Sequence, residues 1–260
     1  SNSSFLGLLF YAILSCFAEG ALGVQVVTGG EMSCAILNDG SVKCWGRNYY
    51  GQLGYGTGTF SDDFNVGGAA GEMGDALPFL RIGEGRRVMK MSAGVSHFCA
   101  ILDTHRLKCW GRNFAGVLGL NRNDVAVTLA NEHGTPHDER ETIVDFGDDA
   151  FCRPLRVVDV ASMMYSSCAL FETGQVKCWG QNHAHSVGGQ LGLGVPRTDA
   201  GGAFGDAAGE VGNNLPFLDL GTGWRVKRLA TSDYGAIHMC VVLAPDGNDR
   251  DMVSEGEPEK

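Results

Sequence analysis

Apolar and polar positions along the chain recur in three blocks. SCAILNDGSVKCWGRN (33–48), FCAILDTHRLKCWGRN (98–113) and SCALFETGQVKCWGQN (167–182) align residue for residue. In each, a short apolar stretch meets a polar turn, and a second apolar stretch ends on Trp-Gly. The stretches are strand-length and lack a helical period, which predicts antiparallel hairpins. A Gly-rich turn follows each block: GQLGYG (51–56), GVLGLN (116–121) and GQLGLG (189–194). A long polar connection comes next, then a further strand expected at 87–93, 156–161 and 225–230. The connection GEMGDALPFLRIGEGRRVMKMSAG (71–94) matches GEVGNNLPFLDLGTGWRVKRLATS (209–232). A fourth copy opens at MCVVLAPDG (239–247) and then loses the pattern, with Arg250 where a second cysteine is due. It is expected to end near Leu243 or Ala244. The repeats imply three or four strands per unit.

The ten-residue cysteine spacing fixes a register. Asn38-Asp39-Gly40 forms a three-residue loop whose last residue needs a left-handed conformation, which glycine adopts freely. Centring the hairpin on Asp39 sets Cys34 opposite Cys44, at a distance that a disulfide can bridge. Glu172-Thr173-Gly174 likewise sets Cys168 opposite Cys178. Cys99 and Cys109 keep the spacing, but His105 replaces the glycine and predicts a strained turn. The six cysteines are either three hairpin disulfides, each adding ~2–3 kcal/mol, or reduced residues filling strand faces. The disulfide reading requires an oxidising compartment. Zinc is not expected, because structural sites favour two to four residues between paired cysteines. Cys152 and Cys240 are left over, either free, paired together or lacking partners.

Composition narrows the function. The chain has 39 glycines in 260 residues and only 19% charged residues, which suits short strands joined by tight turns. Twenty basic residues stand against 30 acidic ones, and the net charge of −10 opposes a nucleic-acid surface. Residues 5–18 form an uncharged apolar run, too short for the ~20 residues of a membrane span. No stable membrane span is expected. The run fits the core of a signal peptide, with cleavage expected after Ala18 or Gly20. Its competing reading is a buried apolar segment. With no initiating Met and no basic stretch, the start is read as clipped. The expected organisation is a signal-like segment at 1–23, repeat units at 24–80, 81–150, 151–220 and a partial 221–245, and a disordered acidic tail at 246–260.

The repeated Cys-x9-Cys-Trp-Gly-x-Asn followed by Gly-Gln-Leu-Gly resembles the regulator-of-chromosome-condensation repeat. The first unit supplies Leu37, Asp39-Gly40, Trp45-Gly46-Arg47-Asn48 and Gly51-Gln52-Leu53-Gly54. The second has Trp110-Gly111-Arg112-Asn113 and Val117 in place of Gln. The third has Trp179-Gly180-Gln181-Asn182, then four extra residues before Gly189-Gln190-Leu191-Gly192. The family's His before the first hairpin strand is matched by His97 and His238. The resemblance implies an all-β, β-propeller-like repeat array of three full blades and part of a fourth. The family's ring has about seven blades, so this would be an incomplete propeller. Trp45, Gly46, Trp110, Gly111, Trp179 and Gly180 are then structural residues of the repeat.

No catalytic, cofactor or metal constellation stands out. Gly134 and Pro136 oppose the helix that would put His133 and His137 on one face. His183 and His185 read as loop residues, and Asp62-Asp63 and Asp148-Asp149 as solvated charges. The three repeated tryptophans read as core, with a ligand-stacking platform as the alternative. The expected function is a secreted or cell-surface β-propeller module that binds a protein partner without catalysis. The long connections 57–80, 121–155 and 195–217 are its expected recognition surface. The alternative is a cytoplasmic or nuclear guanine-nucleotide exchange factor or chromatin-associated regulator, by analogy with the family's namesake.

Overall fold

The three hairpin tips set the architecture. In the first, Leu37 N–H donates to the Ser41 carbonyl at 2.8 Å and Gly40 N–H donates to the Leu37 carbonyl at 2.9 Å. Gly40 and Gly174 have φ of 81° and 84°, and His105, in the same place, has φ of 61°. The second turn is therefore strained as expected, since a β-carbon crowds the backbone there. Ser41 donates from its hydroxyl and its N–H to the Asp39 carboxylate, and these bonds hold that carboxyl below the usual range.

The structure is a computed structural model describing residues 24–56, 64–122, 124–127, 142–184, 187–194, 202–231 and 238–246. The expected signal-like segment, nearly all of the acidic tail, His133, His137, His185, Asp62 and Asp63 lie outside the described residues. The first sheet runs β1 (Gln25–Thr28), β2 (Met32–Ile36), β3 (Val42–Gly46), with Val66 bridging to Gly46 at its outer edge. The second runs β4 (Val88–Ala93), β5 (His97–Leu102), β6 (Leu107–Arg112), β7 (Ala126–Val127). The third joins β8 (Val157–Ser162), β9 (Ser166–Phe171), β10 (Val176–Gln181) and, past the small β11 (His183–Ala184) and β12 (Val187–Gly188) pair, β13 (Ala203–Phe204). The fourth is the pair β14 (Trp224–Thr231) and β15 (Met239–Pro245). All pairings are antiparallel, and no α-helix occurs among the described residues.

The register places Cys34 on Cys44, Cys99 on Cys109 and Cys168 on Cys178. Their Cα atoms are 4.1, 4.2 and 4.1 Å apart and all three pairs are disulfide-bonded. Cys152 and Cys240 are free and exposed. The fourth unit ends close to the expected position. β15 ends at Pro245, one residue beyond Ala244, and Pro245 sits opposite Trp224. Proline is tolerated there because, as the last residue, its missing N–H removes no interior ladder bond.

The core lies between successive sheets. Cys34, Ile36, Val42 and Cys44 face forward and pack with Phe98, Ala100, Leu102 and Trp110 of the next unit. Cys99, Ile101, Leu107 and Cys109 face forward onto Ala169, Phe171 and Trp179. Cys168, Leu170, Val176 and Cys178 face forward onto Val226 and Leu229. β5 and β9 lie between neighbours and are buried at every position. β2 alternates between buried and half-buried positions, since among the described residues only one of its faces is covered.

Candidate functional site

Each unit grips its neighbours through repeated polar side chains. Trp110 Nε1–H donates to the Gln52 carbonyl at 3.0 Å, and Trp179 Nε1–H donates to the Val117 carbonyl at 2.8 Å. Gln52 and Val117 occupy the same place in the Gly-x-Leu-Gly turn of the preceding unit. That turn is itself held by the Asn of Trp-Gly-x-Asn. The Asn48, Asn113 and Asn182 side-chain oxygens accept from the N–H of Leu53, Leu118 and Leu191 at 2.9, 3.2 and 3.1 Å. The lysine before each second cysteine also reaches backward. Lys108 Nζ donates to the Ile82 carbonyl at 2.7 Å and Lys177 Nζ to the Phe146 carbonyl at 2.9 Å, and Lys177 also donates to the Gly212 carbonyl of its own unit at 2.7 Å. Both lysines are buried, and burial lowers the pKa of Lys177 against the opposing pull of Asp145. The same two positions in the first unit differ. Trp45 and Lys43 are half-buried, and among the described residues Lys43 donates to its own unit's Gly74 carbonyl and sits over the Phe79 ring. Among the described residues Trp110 and Trp179 are thus buried and Trp45 is half-buried.

Buried polar groups also cross the boundary between the second and third units. His97 Nε2 lies 3.0 Å from Ser167 Oγ, and burial pushes the His97 pKa down to about 3, so the ring is neutral. Lys90 forms an ion pair with Asp159, which also accepts from Leu229 N–H at 3.1 Å. One aspartate thus ties together β4, β8 and β14.

At the hairpin-tip end, the second and third units enclose a cleft of about 970 Å³. Leu102, Thr104, His105 and Arg106 come from one tip, and Phe171, Glu172 and Thr173 from the next. Asp145, Asp149, Arg153, Pro154, Leu155 and Arg156 come from the connection between them, and Arg86 from the one before. Tip carbonyls secure this wall: His105 O accepts from Val157 N–H at 3.0 Å, as Gly40 O does from Val88 N–H at 2.9 Å. His105 Nδ1 lies 3.3 Å from the Val157 carbonyl, so that nitrogen carries the proton. Arg153 and Asp149 pair at 2.8 Å, and Arg156 and Glu172 at 3.1 Å. Partial burial works against the Asp149 carboxylate, but bonds from Arg153 and Phe151 hold its pKa below the usual value. Arg106 has no ion-pair partner among the described residues. The cleft therefore offers a positive group in a shaped opening of a negatively charged protein.

Of the expected recognition segments, only the end of 121–155 lines this cleft; its other walls are hairpin tips with Arg86 and Arg156. Asp149, read from sequence as a solvated charge, is engaged by Arg153. Sequence reasoning passed over Lys43, Lys108 and Lys177, although their repetition beside each second cysteine was the available signal. His97 was noted only as a family position.

The sequence profile of the regulator of chromosome condensation (RCC1) repeat matches residues 24–52 and 89–117. The chain carries repeats of this type on an RCC1-type β-propeller scaffold. The ultraviolet-B receptor UVR8 of Arabidopsis thaliana is 29% identical over 182 residues, 70% of this chain and 33% of that protein. The human E3 ubiquitin-protein ligase HERC2 is 26% identical over 182 residues, 68% of this chain and 3% of that protein. A bifunctional serine/threonine-protein kinase/NEDD4-like E3 ubiquitin-protein ligase of Dictyostelium discoideum is 25% identical over 177 residues, 65% and 8% respectively. The chain thus spans a third or less of these relatives. Among solved structures, human WBSCR16 matches with a TM-score of 0.56 at 20% identity, over 87% of this chain and 46% of that one. Prp20p of Saccharomyces cerevisiae matches with a TM-score of 0.57 at 18% identity, over 86% and 44%. Both likenesses bear on the fold.

Proposed function

We propose that the chain is a non-catalytic protein-binding module working in an oxidising compartment, secreted or at the cell surface. The observation that carries the binding reading is the cleft between the second and third hairpin tips, with Arg106 at its wall. Rigid walls tied by backbone bonds across units suit capture of a protruding segment with little ordering cost. A carboxylate on that segment would pair with Arg106, a planar donor suited to such a group. Three buried disulfides support the compartment, because reducing cytosol disfavours such pairs. No helix among the described residues is long and apolar enough to cross a membrane.

The experiment is selection of displayed peptides against the full chain. Acidic sequences should be enriched, and Arg106→Ala should weaken them about tenfold, the size of one charge-assisted bond. Absence of enrichment, or binding indifferent to Arg106→Ala, would remove the cleft from the account. The second reading is an intracellular exchange factor or chromatin regulator. It is favoured by the likeness to Prp20p, whose structure was described with its binding to Gsp1p and histones. Peptide mapping of the native protein without reductant separates the two. Three hairpin links support the first, and six free thiols the second.

A further inference from the structure

The end of the sheets opposite the hairpin tips carries a side-chain cluster of its own. There the second hairpin strand of each unit finishes as Trp-Gly-x-Asn, and the variable residue closes the same backbone bond every time. Arg47 N–H donates to the Glu31 carbonyl at 2.7 Å, Arg112 N–H to the Ser96 carbonyl at 2.9 Å, and Gln181 N–H to the Tyr165 carbonyl at 2.8 Å. Glu31, Ser96 and Tyr165 are therefore equivalent positions with different chemistry. In the first unit the Glu31 carboxylate pairs with the Arg47 side chain at 2.6 Å. In the second, Ser96 has no charge to offer. The Arg112 guanidinium has neither an ion pair nor a hydrogen-bond acceptor among the described residues.

Aromatic rings hold Arg112 instead. Its guanidinium lies over the Tyr50 ring of the first unit, 4.7 Å from the ring centre, and over the Phe114 ring at 5.0 Å. Phe114 is exposed and packs against Tyr165 of the third unit, with ring centres 4.8 Å apart. The cluster thus crosses three units. Ring faces attract the cation, but they accept none of the N–H groups in the guanidinium plane. Those groups keep their capacity for a fork-shaped pairing with a carboxylate. The exposed Phe114 ring beside them suits an apolar side chain, and the net charge of −10 repels a polyanion. The fit is to an acidic residue next to an apolar one.

We propose that Arg112, with Tyr50, Phe114 and Tyr165, forms a second docking face, which takes an acidic residue and its apolar neighbour from a partner protein. The partner's carboxylate accepts from the Arg112 guanidinium, as the Glu31 carboxylate does from Arg47. The apolar neighbour lies on Phe114 and Tyr165. Serine at position 96 leaves this arginine open, whereas glutamate at position 31 closes its counterpart. The face stands at the other end of the sheets from the cleft with Arg106, so either can fail without the other.

The test selects displayed peptides on the full chain carrying Arg106→Ala, which removes the positive group of the tip cleft. Peptides that join an acidic residue to an aromatic or aliphatic one should be enriched. In calorimetric titration Arg112→Ala should weaken them about tenfold, the size of one charge-assisted bond. Arg112→Lys should recover little, because an ammonium cannot form the planar fork. Arg47→Ala, which removes an arginine already paired with Glu31, should leave the affinity unchanged. Ser96→Glu keeps Arg112 and copies the Glu31 pair into the second unit, and it should weaken the peptides as much as Arg112→Ala does. Circular dichroism checks the fold of each variant. Lack of acidic enrichment, or affinity unmoved by Arg112→Ala or by Ser96→Glu, would overturn the proposal. Self-association of the chain that is lost on Arg112→Ala, read by sedimentation, would give the face to a second copy and overturn it as well.

Discussion

Units 1 and 3 carry almost the same hairpin, yet the two sit in different surroundings. In unit 3, Lys177 and Trp179 are buried and bonded to the preceding unit, and β9 is covered on both faces. In unit 1, Lys43 and Trp45 are half-buried, and β2 is covered on one face. The covalent pattern is shared; what differs is the presence of a described unit behind it. The repeated lysine and tryptophan are therefore connectors, and their worth is set by the carbonyls they meet. Gly119 shows how close the joint is: a β-carbon there would lie 2.8 Å from Trp179 Nε1.

The sharpest break of this comparison is truncation of the tryptophans. Trp179→Ala should cost about 3–5 kcal/mol, the usual loss for a buried aromatic, and leaves the Val117 carbonyl without its donor. Trp45→Ala should cost about 1 kcal/mol, since half-buried side chains lose less transfer energy. Denaturant unfolding followed by circular dichroism, with disulfides intact, compares the two. Equal losses would mean that Trp45 is clasped as well.

The lysines sharpen the point at constant volume. Lys177→Met leaves the Phe146 and Gly212 carbonyls unsatisfied, at about 2–4 kcal/mol. Lys43→Met should stay within about 0.5 kcal/mol, as for ordinary surface changes. The same unfolding measurement reads both.

Much of each hairpin was legible in the sequence, and little of the joint between hairpins. Asn38-Asp39-Gly40 and the cysteine spacing fix turn and register because both are local, within ten residues. His105 in the glycine position announced its own strain. The joint links Trp110 to Gln52 and Trp179 to Val117, 58 and 62 residues apart, through main-chain acceptors that have no sequence signature. The cleft likewise gathers residues from 86 to 173, and no short motif marks it. Trp45 shares the motif of Trp110 and Trp179, and it is half-buried because no described unit packs behind it.

Acid should separate the joint from the hairpins. His97 binds its proton near pH 6.5 when unfolded and only near pH 3 when buried. Between these values the unfolded chain holds more protons, so stability falls as pH drops, by about 1.4 kcal/mol per unit for this group. His97→Gln should flatten the pH dependence of Tm between pH 6 and 4. An unchanged slope would show that His97 does not govern it. The smallest expected effect is at the strained tip. His105→Gly relieves the left-handed backbone but loses the contact with Val157, for a net gain of about 0.5 kcal/mol. A loss in thermal melting would mean that the ring contact outweighs the strain.

The clasp itself is read most directly by hydrogen exchange at the indole N–H groups, assigned by NMR from single Trp→Phe variants. Trp110 and Trp179 should exchange slowly, protected by their bonds to Gln52 and Val117. Trp45, half-buried, and Trp224, exposed, should exchange quickly. Slow exchange at Trp45, or fast exchange at Trp179, would contradict the account of the repeat as a connector between units.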